Sequence, residues 1–315
     1  MEYSWNHTRR YNSYPEYFKS IFGNRVQKVA LDAGFSCPNR DGYKGIGGCS
    51  FCDNDAFNPS YCDSSKTISV QIQEGIEFHR TRYRRAKQFL AYFQAFSNTY
   101  APIEKLKILY EEALACEGII GLVIGTRPDC IDEEKLDYLA KLAEKYYVKI
   151  EYGLESIHNK TLLKINRGHD FETSLKAIEL THERKIPVGT HFIVGLPGET
   201  ANSFLNDITA ISALKLESIK FHQLQIIKGT QMEKEFLKNP DDFKMFGMEA
   251  YLDLIVRVVE KLNPEFVIER IAAEVPPRFL ASKGWGMIRY DQVLGKFETL
   301  LEQRNTWQGR LFKSE

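Results

Sequence analysis

Short apolar runs alternate with longer amphipathic stretches over about 200 residues of this chain. The apolar runs are rich in β-branched and aromatic residues, which favours strands, and the stretches between them are predicted to be helices. The predicted strands are 26–32, 89–93, 121–125, 148–153, 188–195, 218–224 and 266–269, and the predicted helices are 16–22, 68–87, 102–116, 132–146, 170–184, 199–214, 248–262 and 290–303. Many strands are apolar on both faces, as in parallel sheets covered by helices. The alternation predicts a parallel sheet with right-handed crossovers.

Six strand–helix units can be counted, fewer than the eight that close a TIM barrel. Residues 1–24 are predicted to form a polar N-terminal arm, residues 25–240 the core, and residues 241–315 an α/β extension packed on that core. No repeat, low-complexity tract or linker interrupts the chain of 315 residues. This organisation favours one catalytic domain with added ends.

Charge and hydrophobicity exclude several classes of protein. Lys plus Arg and Asp plus Glu number 42 each, so a uniformly basic nucleic-acid binder is excluded, although a local basic patch is not. Hydrophobic residues make up 43% of the chain, which excludes a disordered protein. No apolar run approaches the ~20 residues of a membrane span, and residues 1–10 lack the apolar segment of a secretion signal. We therefore expect a cytoplasmic protein with no membrane partner.

The six cysteines are the residues most informative about function. Four of them lie in residues 34–65, a stretch without helix or strand period, and a loop of this length inside a domain is usually functional. Cys37, Cys49 and Cys52 can converge on one metal centre, because the short gap between the last two lets a single turn present both sulfurs. Three thiolates suit a [4Fe–4S] cluster with one iron left open, whereas structural zinc sites usually have four ligands. Cys62 is either a fourth zinc ligand or a loop thiol.

Two motifs around these cysteines resemble the radical S-adenosylmethionine (radical SAM) superfamily. They are Gly-Phe-Ser-Cys-Pro-Asn-Arg-Asp-Gly from residue 34 and Gly-Gly-Cys-Ser-Phe-Cys from residue 47, and they are most similar to the YhcC/YtqA (MnmL-type) family related to the Elongator catalytic subunit. The long gap between Cys37 and Cys49 departs from the usual CxxxCxxC and is a feature of that subgroup. The resemblance implies an α/β fold, a partial (β/α)6 TIM-type radical SAM barrel with N- and C-terminal extensions. It also implies that Cys37, Cys49 and Cys52 hold a [4Fe–4S] cluster and that SAM is the second cofactor.

The same resemblance implies contacts at the cluster and the methionine end of SAM. Phe51 would place its ring over the cluster edge. Glu155 and Ser156 would approach the ribose and methionine ends. Arg167 would pair with the methionine carboxylate, because a guanidinium can contact it through two parallel hydrogen bonds. Gln94, at the end of the second predicted strand, would bind the methionine amine in place of the acid that the family often has there.

The adenine end of SAM falls, by the resemblance, on the motif His-Phe-Ile-Val-Gly-Leu-Pro-Gly that begins at residue 191. Gly195 and Gly198 would let the backbone approach a flat ring closely. His191 stands where many members have an acidic residue. His191, His222 and Cys130 are the candidate catalytic residues, because the two histidines can point inward from strands and Cys130 follows a turn at a strand end.

The function implied by the resemblance is radical chemistry on the wobble uridine of tRNA. A 5′-deoxyadenosyl radical would be generated, and the carboxymethylaminomethyl group at uridine C5 would be converted to an aminomethyl group. The implied partners are tRNA and a one-electron reductant such as flavodoxin or ferredoxin. Two alternatives stay open: a radical SAM enzyme acting on a small metabolite, and a zinc-binding module that interacts with RNA or protein without catalysis.

Three clusters of cations mixed with aromatic residues admit two interpretations. They could contact RNA phosphates and unstacked bases, or they could be ordinary solvated surface. The clusters are Arg80, Arg82, Tyr83, Arg84, Arg85 and Lys87; Arg9, Arg10 and Tyr11; and Arg304, Trp307 and Arg310.

Overall fold

Seven parallel strands form a single sheet whose spatial order follows the chain. The structure is a computed structural model that describes residues 3–54, 56–82 and 86–313. The strands are β1 (Val26–Leu31), β2 (Gln88–Phe93), β3 (Ile119–Thr126), β4 (Tyr147–Glu155), β5 (Val188–Val194), β6 (Ser218–Gln223) and β7 (Val267–Arg270). Every predicted strand is therefore present, and β7 extends the sheet of six predicted core strands.

Helices precede, connect and follow the strands. They are α1 (Tyr14–Phe22), α2 (Ile68–Arg82), α3 (Ile103–Leu114), α4 (Glu133–Ala143), α5 (Asn159–Lys164), α6 (Phe171–Glu183), α7 (Ala201–Ser212), α8 (Gln231–Lys238), α9 (Met248–Lys261) and α10 (Tyr290–Gln303), with 3-10 turns at Pro128–Cys130, Pro240–Asp242 and Pro277–Phe279. The predicted helix over residues 68–87 ends earlier, at Arg82, within the part of the chain that is described. None of the helices described is long and apolar enough to cross a membrane.

Two helices, α5 and α8, were not predicted. The first has only six residues and begins without a side-chain cap, so no start signal marks it. The second begins at Thr230, whose hydroxyl accepts a hydrogen bond from the Glu233 N–H at 3.2 Å. This Thr-x-x-Glu pattern is a recognised helix start and could have revealed α8. By contrast, Asp132 caps α4 by accepting from the Lys135 N–H at 3.0 Å, as expected.

The two edges of the sheet curl toward each other and form a half-barrel. Lys28 Nζ of β1 lies 2.5 Å from Glu269 Oε1 of β7, although these strands are at opposite ends of the sheet order. The N-terminal arm fills the remaining gap, because the Ile268 N–H donates to the Asn12 carbonyl at 2.8 Å. Phe18 of α1 is buried against the concave face and closes the N-terminal end of the half-barrel. The opposite end, where the strands terminate, is the mouth.

Candidate active site

The cysteine loop runs from the end of β1 to the start of α2 and carries three cysteines near the mouth. Cys37 and Cys49 are buried and Cys52 is half-buried. The Cys37 carbonyl accepts hydrogen bonds from the N–H groups of Arg40 and Asp41, at 2.8 and 3.2 Å. The Cys52 N–H donates to the Cys49 carbonyl at 3.0 Å, so one turn holds these two residues. Backbone hydrogen bonds thus fix the loop around the cysteines.

Hydrogen bonds also dock the loop on the segment that follows α5. The Ser50 N–H donates to the Ile165 carbonyl at 2.9 Å. Asn166 Nδ2 donates to the Gly48 carbonyl at 2.8 Å, and Asn39 Nδ2 donates to the Asn166 carbonyl at 2.5 Å. Asn166 adopts a φ of 52°, which asparagine tolerates better than most residues. The docking brings the next residue, Arg167, to the cysteines.

Two buried guanidinium groups point at the sulfur of Cys49. Arg167 Nη1 lies 3.3 Å and Arg127 Nη1 3.9 Å from Cys49 Sγ. Asp129 orients Arg127 through contacts of 2.8 and 3.0 Å. Arg167 Nε is buried and has no hydrogen-bond partner among the residues described. Buried cations with a free donor fit a site that receives negative charge, such as thiolates or a bound carboxylate.

The thiols themselves fit a polynuclear metal centre. Burial, together with Cys49, raises the pKa of Cys52 to about 11, so its thiolate needs a bound cation. Within the described ranges, no three His, Cys, Asp or Glu side chains are placed to hold a single metal ion. Three thiolates can bind three irons of a [4Fe–4S] cluster and leave the fourth iron open.

The other cysteines occupy different positions. Cys62 Sγ donates a hydrogen bond to the Ala30 carbonyl of β1 at 3.1 Å, so this thiol is bound to the strand. Cys130 is buried after β3, and burial with the nearby charge of Asp129 raises its pKa to about 12. Cys116 Sγ donates to the Glu112 carbonyl at the end of α3. A thiolate at Cys37 would also raise the pKa of Cys130.

The residues assigned to the methionine end of SAM lie together where β4 ends. Arg167 Nη2 donates to the Gly153 carbonyl at 2.5 Å and lies 3.9 Å from Glu155 Oε1. Glu155 has a φ of 68°, a conformation that L-residues rarely adopt. The Ser156 hydroxyl donates to Glu199 and accepts from the His158 N–H at 3.0 Å, so both of these contacts are internal. The Ser156 assignment stays a prediction.

The predicted adenine segment follows β5 and packs on the C-terminal extension. Gly195 and Gly198 have φ values of 96° and 97°. A Cβ at Gly195 would lie 3.1 Å from Phe246 Cε2, so the glycine permits close contact with that ring. Phe51 of the cysteine loop packs against an apolar cluster that contains Leu196. Phe246 was not predicted, because it lies about 50 residues farther along the chain.

Gln94 lies directly after β2, also at the mouth. Its N–H donates to the Leu31 carbonyl at 3.2 Å and it is half-buried. It therefore occupies the strand end at which the resemblance places it, and its role stays a prediction.

A buried ionic lattice fills the interior of the half-barrel, and sequence reasoning missed it. We define it as Lys28, Lys149, Lys220, Glu151 and Glu269. Lys28 Nζ lies 2.5 Å from Glu151 and from Glu269, and Lys220 Nζ lies 2.6 and 2.8 Å from the same carboxylates. Lys149 Nζ lies 3.5 Å from Glu269. Buried charges of this kind persist only when paired.

Two candidate catalytic histidines lie next to the lattice on β5 and β6. His191 Nε2 is 3.2 Å from Glu151 Oε2. The imidazoles of His191 and His222 are stacked, with centroids 5.5 Å apart and planes 17° apart. Burial, and then the neighbouring His191 and Arg270, hold the pKa of His222 well below its usual range. The structure thus brings these histidines together, whereas Cys130 lies near the cysteine loop.

Comparison with known proteins decides the family. Residues 37–211 match the family model of the radical SAM superfamily, and residues 216–303 match that of the radical SAM C-terminal domain. The protein YtqA of Bacillus subtilis (strain 168) is 34% identical over 98% of this chain and 94% of its own length. The chain belongs to the radical SAM superfamily. It is therefore an enzyme, and the family resemblance drawn from its cysteine motifs is confirmed.

The chain is also similar to other named proteins. YhcC of Escherichia coli (strain K12) is 35% identical over 87% of this chain and 89% of its own length. The tRNA uridine(34) acetyltransferase of Methanocaldococcus infernus is 26% identical over 50% of this chain and 29% of its own length. The solved structure of archaeal Methanocaldococcus infernus Elp3 superposes with a TM-score of 0.68 at 18% identity, over 90% of this chain and 64% of that one. The likeness confirms the predicted partial barrel.

Many of the clustered cations in this radical SAM chain are paired with acids. Arg9 contacts Glu298, Arg304 lies 2.6 Å from Asp253, and Arg310 lies 2.9 Å from Glu260. These contacts tie both ends of the chain to α9 and α10. Arg80 lies 3.3 Å from Glu77 on the same helix. The predicted cluster residues Tyr83, Arg84 and Arg85, and the side chain of Arg82, lie outside the described part of the structure.

Proposed function

We propose that this radical SAM enzyme modifies the wobble uridine of tRNA, converting a carboxymethylaminomethyl group at C5 to an aminomethyl group. SAM would be the oxidant and would be cleaved to methionine and 5′-deoxyadenosine, and water would release the two carboxymethyl carbons as glyoxylate. The observation that carries the proposal is the similarity of half of the chain to an enzyme named for tRNA uridine 34. The fold shared with archaeal Elp3 over 90% of the chain supports it. The alternative is a small-metabolite substrate, and the comparison of tRNA nucleosides described below distinguishes the two.

We propose that Cys37, Cys49 and Cys52 hold a [4Fe–4S] cluster at the mouth and that SAM binds beside it. When bound and reduced, the two cofactors supply a 5′-deoxyadenosyl radical that removes a hydrogen atom from an unactivated C–H bond. Arg127 and Arg167 would offset the negative charge of the thiolates. The unpaired Nε of Arg167 would donate to the methionine carboxylate. A flavodoxin or ferredoxin would supply the electron.

The walls of the half-barrel would orient the substrate and exclude water. The lattice closes the interior beneath the histidines, because both of its carboxylates are almost fully buried. Gly195, which packs closely against the ring of Phe246, would border the adenine of SAM beside the substrate. His191, whose side chain is 25% exposed, is open toward the mouth. These groups fix the position of the substrate, while the cofactors carry the hard chemical step.

The tRNA base would have to leave its stack to reach this interior, because stacking hides C5. The tip of the cysteine loop carries large apolar side chains in solvent: Tyr43 is 76% and Ile46 is 85% exposed. An exposed aromatic ring can stack on an unpaired base and stabilise the flipped nucleotide. We propose that this loop tip contacts the anticodon.

Mass spectrometry of tRNA nucleosides tests the proposed function. A strain that lacks the gene should accumulate carboxymethylaminomethyl uridine and lose the aminomethyl form and its methylated product. Wild-type protein should restore the parental profile and Cys49→Ala should not. Cys116→Ala is the matched control, because that thiol lies at the end of α3, and it should restore the profile. An unchanged profile in a deletion strain without a redundant pathway would contradict the tRNA proposal.

A further inference from the structure

An open wall of the barrel interior lies above the lattice, on β6 and β7. Lys220 and Arg270 are register partners, and the register shifts between Ile219 and Lys220. Glu269 is part of the lattice, and the adjacent Arg270 is the register partner of Lys220, whose Nζ contacts Glu151 in the interior. His222 lies two residues beyond Lys220 on β6, nearer the mouth. Arg270 is exposed and His222 is half-buried, so this wall is accessible from the mouth.

The polar groups of this wall lack the partners that the lattice groups have. Each lysine of the lattice contacts a carboxylate. The Arg270 guanidinium instead lies 5.3 Å over the Tyr290 ring, and no carboxylate pairs with it among the residues that the structure covers. His222 Nε2 is buried and lacks a hydrogen-bond partner within the same set of residues. A guanidinium without a carboxylate partner, on the strand next to an imidazole whose Nε2 has no partner among the described residues, favours the binding of an anion.

We propose that Arg270 and His222 form a subsite for a carboxylate of the substrate. The inference rests on the proposed function, in which the carboxymethyl part of the uridine side chain supplies that carboxylate. Arg270 would bind it through two parallel hydrogen bonds, and His222 would donate a third from Nε2. A side chain that extends from a flipped base can reach this inner wall, whereas the phosphodiester backbone stays at the mouth.

This subsite would give the enzyme a means to distinguish substrate from product. The carboxymethylaminomethyl group carries the anion and the aminomethyl product does not. Contact with Arg270 would therefore hold the substrate, fix the position of its methylene groups, and be lost on conversion. Arg270 and His222 are in this sense positioning and specificity residues.

Binding of two tRNA preparations to the anaerobically reconstituted holoenzyme tests the subsite. One preparation carries carboxymethylaminomethyl uridine and the other carries unmodified uridine at the same position. Arg270→Gln should weaken binding of the first about tenfold or more and leave the second unchanged, since hydrogen bonds to charged groups are the stronger ones. His222→Phe should act in the same direction. Arg270→Lys should recover part of the loss, because it keeps the charge without the planar fork.

Arg278→Gln is the matched control. Its guanidinium also lies over an aromatic ring, Phe279 at 4.8 Å, but on a surface turn of the extension. The Arg278→Gln variant should bind both tRNA preparations as tightly as the wild type does. Equal weakening of both tRNAs by Arg270→Gln would assign the residue to a phosphate and overturn the carboxylate subsite. If Arg270→Gln raises the SAM concentration needed for SAM cleavage without RNA, Arg270 binds SAM. If Arg270→Gln binds both tRNAs as the wild type does, Arg270 binds no anion. Either result overturns the inference.

A small probe separates failure of the subsite from failure of the proposed function. If the wild-type enzyme binds neither tRNA, the tRNA proposal fails and the subsite is judged with N-methylglycine. Phenylglyoxal modification of Arg270, followed by peptide mass spectrometry, should slow severalfold when N-methylglycine is present. Arg278 should show no such protection. Equal rates with and without the probe would overturn the subsite.

Discussion

The cysteine loop and the ionic lattice lie at opposite depths of one half-barrel and differ in what holds them. The loop is held by backbone turns and by hydrogen bonds to the segment after α5, and the sulfur of Cys49 faces two arginines. The lattice is held by side-chain ion pairs between strands, including Lys28 of β1 and Glu269 of β7. We therefore propose that the loop offers ligands to a cofactor, whereas the charges of the lattice are paired with one another. We propose that the chemistry takes place at the loop and that the lattice supports the fold around it.

The largest expected effect is at the loop. Cys49→Ala removes the sulfur that both guanidinium groups contact, so the reconstituted protein should lose cluster iron and show no measurable reductive cleavage of SAM. Iron analysis and chromatography for 5′-deoxyadenosine measure the two results. Cys116→Ala should retain both properties. Undiminished SAM cleavage by Cys49→Ala would contradict the assignment of the loop.

The second effect is at the lattice and concerns stability. Glu151→Gln leaves Lys28 and Lys220 with one carboxylate fewer, and breaking a buried ion pair costs about 3–5 kcal/mol of unfolding free energy. Urea denaturation of the protein without cofactors measures this. The matched control is Glu104→Gln, which removes an exposed helical pair with Lys107 and should cost under ~0.5 kcal/mol. Similar losses for both variants would show that the lattice does not stabilise the fold.

A third effect appears in the pH dependence of stability. Burial lowers the pKa of Lys28 to about 8, although Glu151 and Glu269 oppose the shift. The unfolded chain therefore binds more protons than the folded one above that pH, and stability should rise with pH. Between about pH 8 and 9.5 this residue should add about 1.6 kcal/mol, against a limit of about 1.4 kcal/mol per pH unit. Lys28→Met should lack this rise in pH-dependent urea denaturation; an identical slope in both proteins would contradict the burial of its charge.

The smallest expected effect tests whether Cys62 belongs to the ligands of the loop site. Cys62→Ala should leave iron content and SAM cleavage unchanged, because Cys62 Sγ is bonded to the Ala30 carbonyl. Its effect on unfolding free energy should stay within about 1 kcal/mol, since the thiol is only half-buried. A marked loss of iron from this variant would place Cys62 among the ligands after all.

The two regions also differ in how far the sequence predicts them. The cysteine loop can be predicted because its ligands lie within 16 consecutive residues, and the strand–helix alternation that places the loop at a strand end is also local. The lattice joins residues 123 and 241 positions apart, and no local pattern specifies which strands meet. A partial signal exists: Lys149 and Glu151 alternate with apolar residues on β4 and so must share one face. The register shift that exposes Arg270 has no such signal.

Conversion of tRNA by the purified holoenzyme tests the central claim most directly. Anaerobic enzyme, SAM, a one-electron reductant and tRNA carrying carboxymethylaminomethyl uridine are incubated, and the nucleosides and 5′-deoxyadenosine are measured by mass spectrometry. The account predicts that aminomethyl uridine and 5′-deoxyadenosine form together with the wild type and that neither forms with Cys49→Ala. Formation of 5′-deoxyadenosine with unaltered tRNA would contradict the proposed substrate. Failure of the iron-loaded wild type to form 5′-deoxyadenosine would contradict the cluster assignment itself.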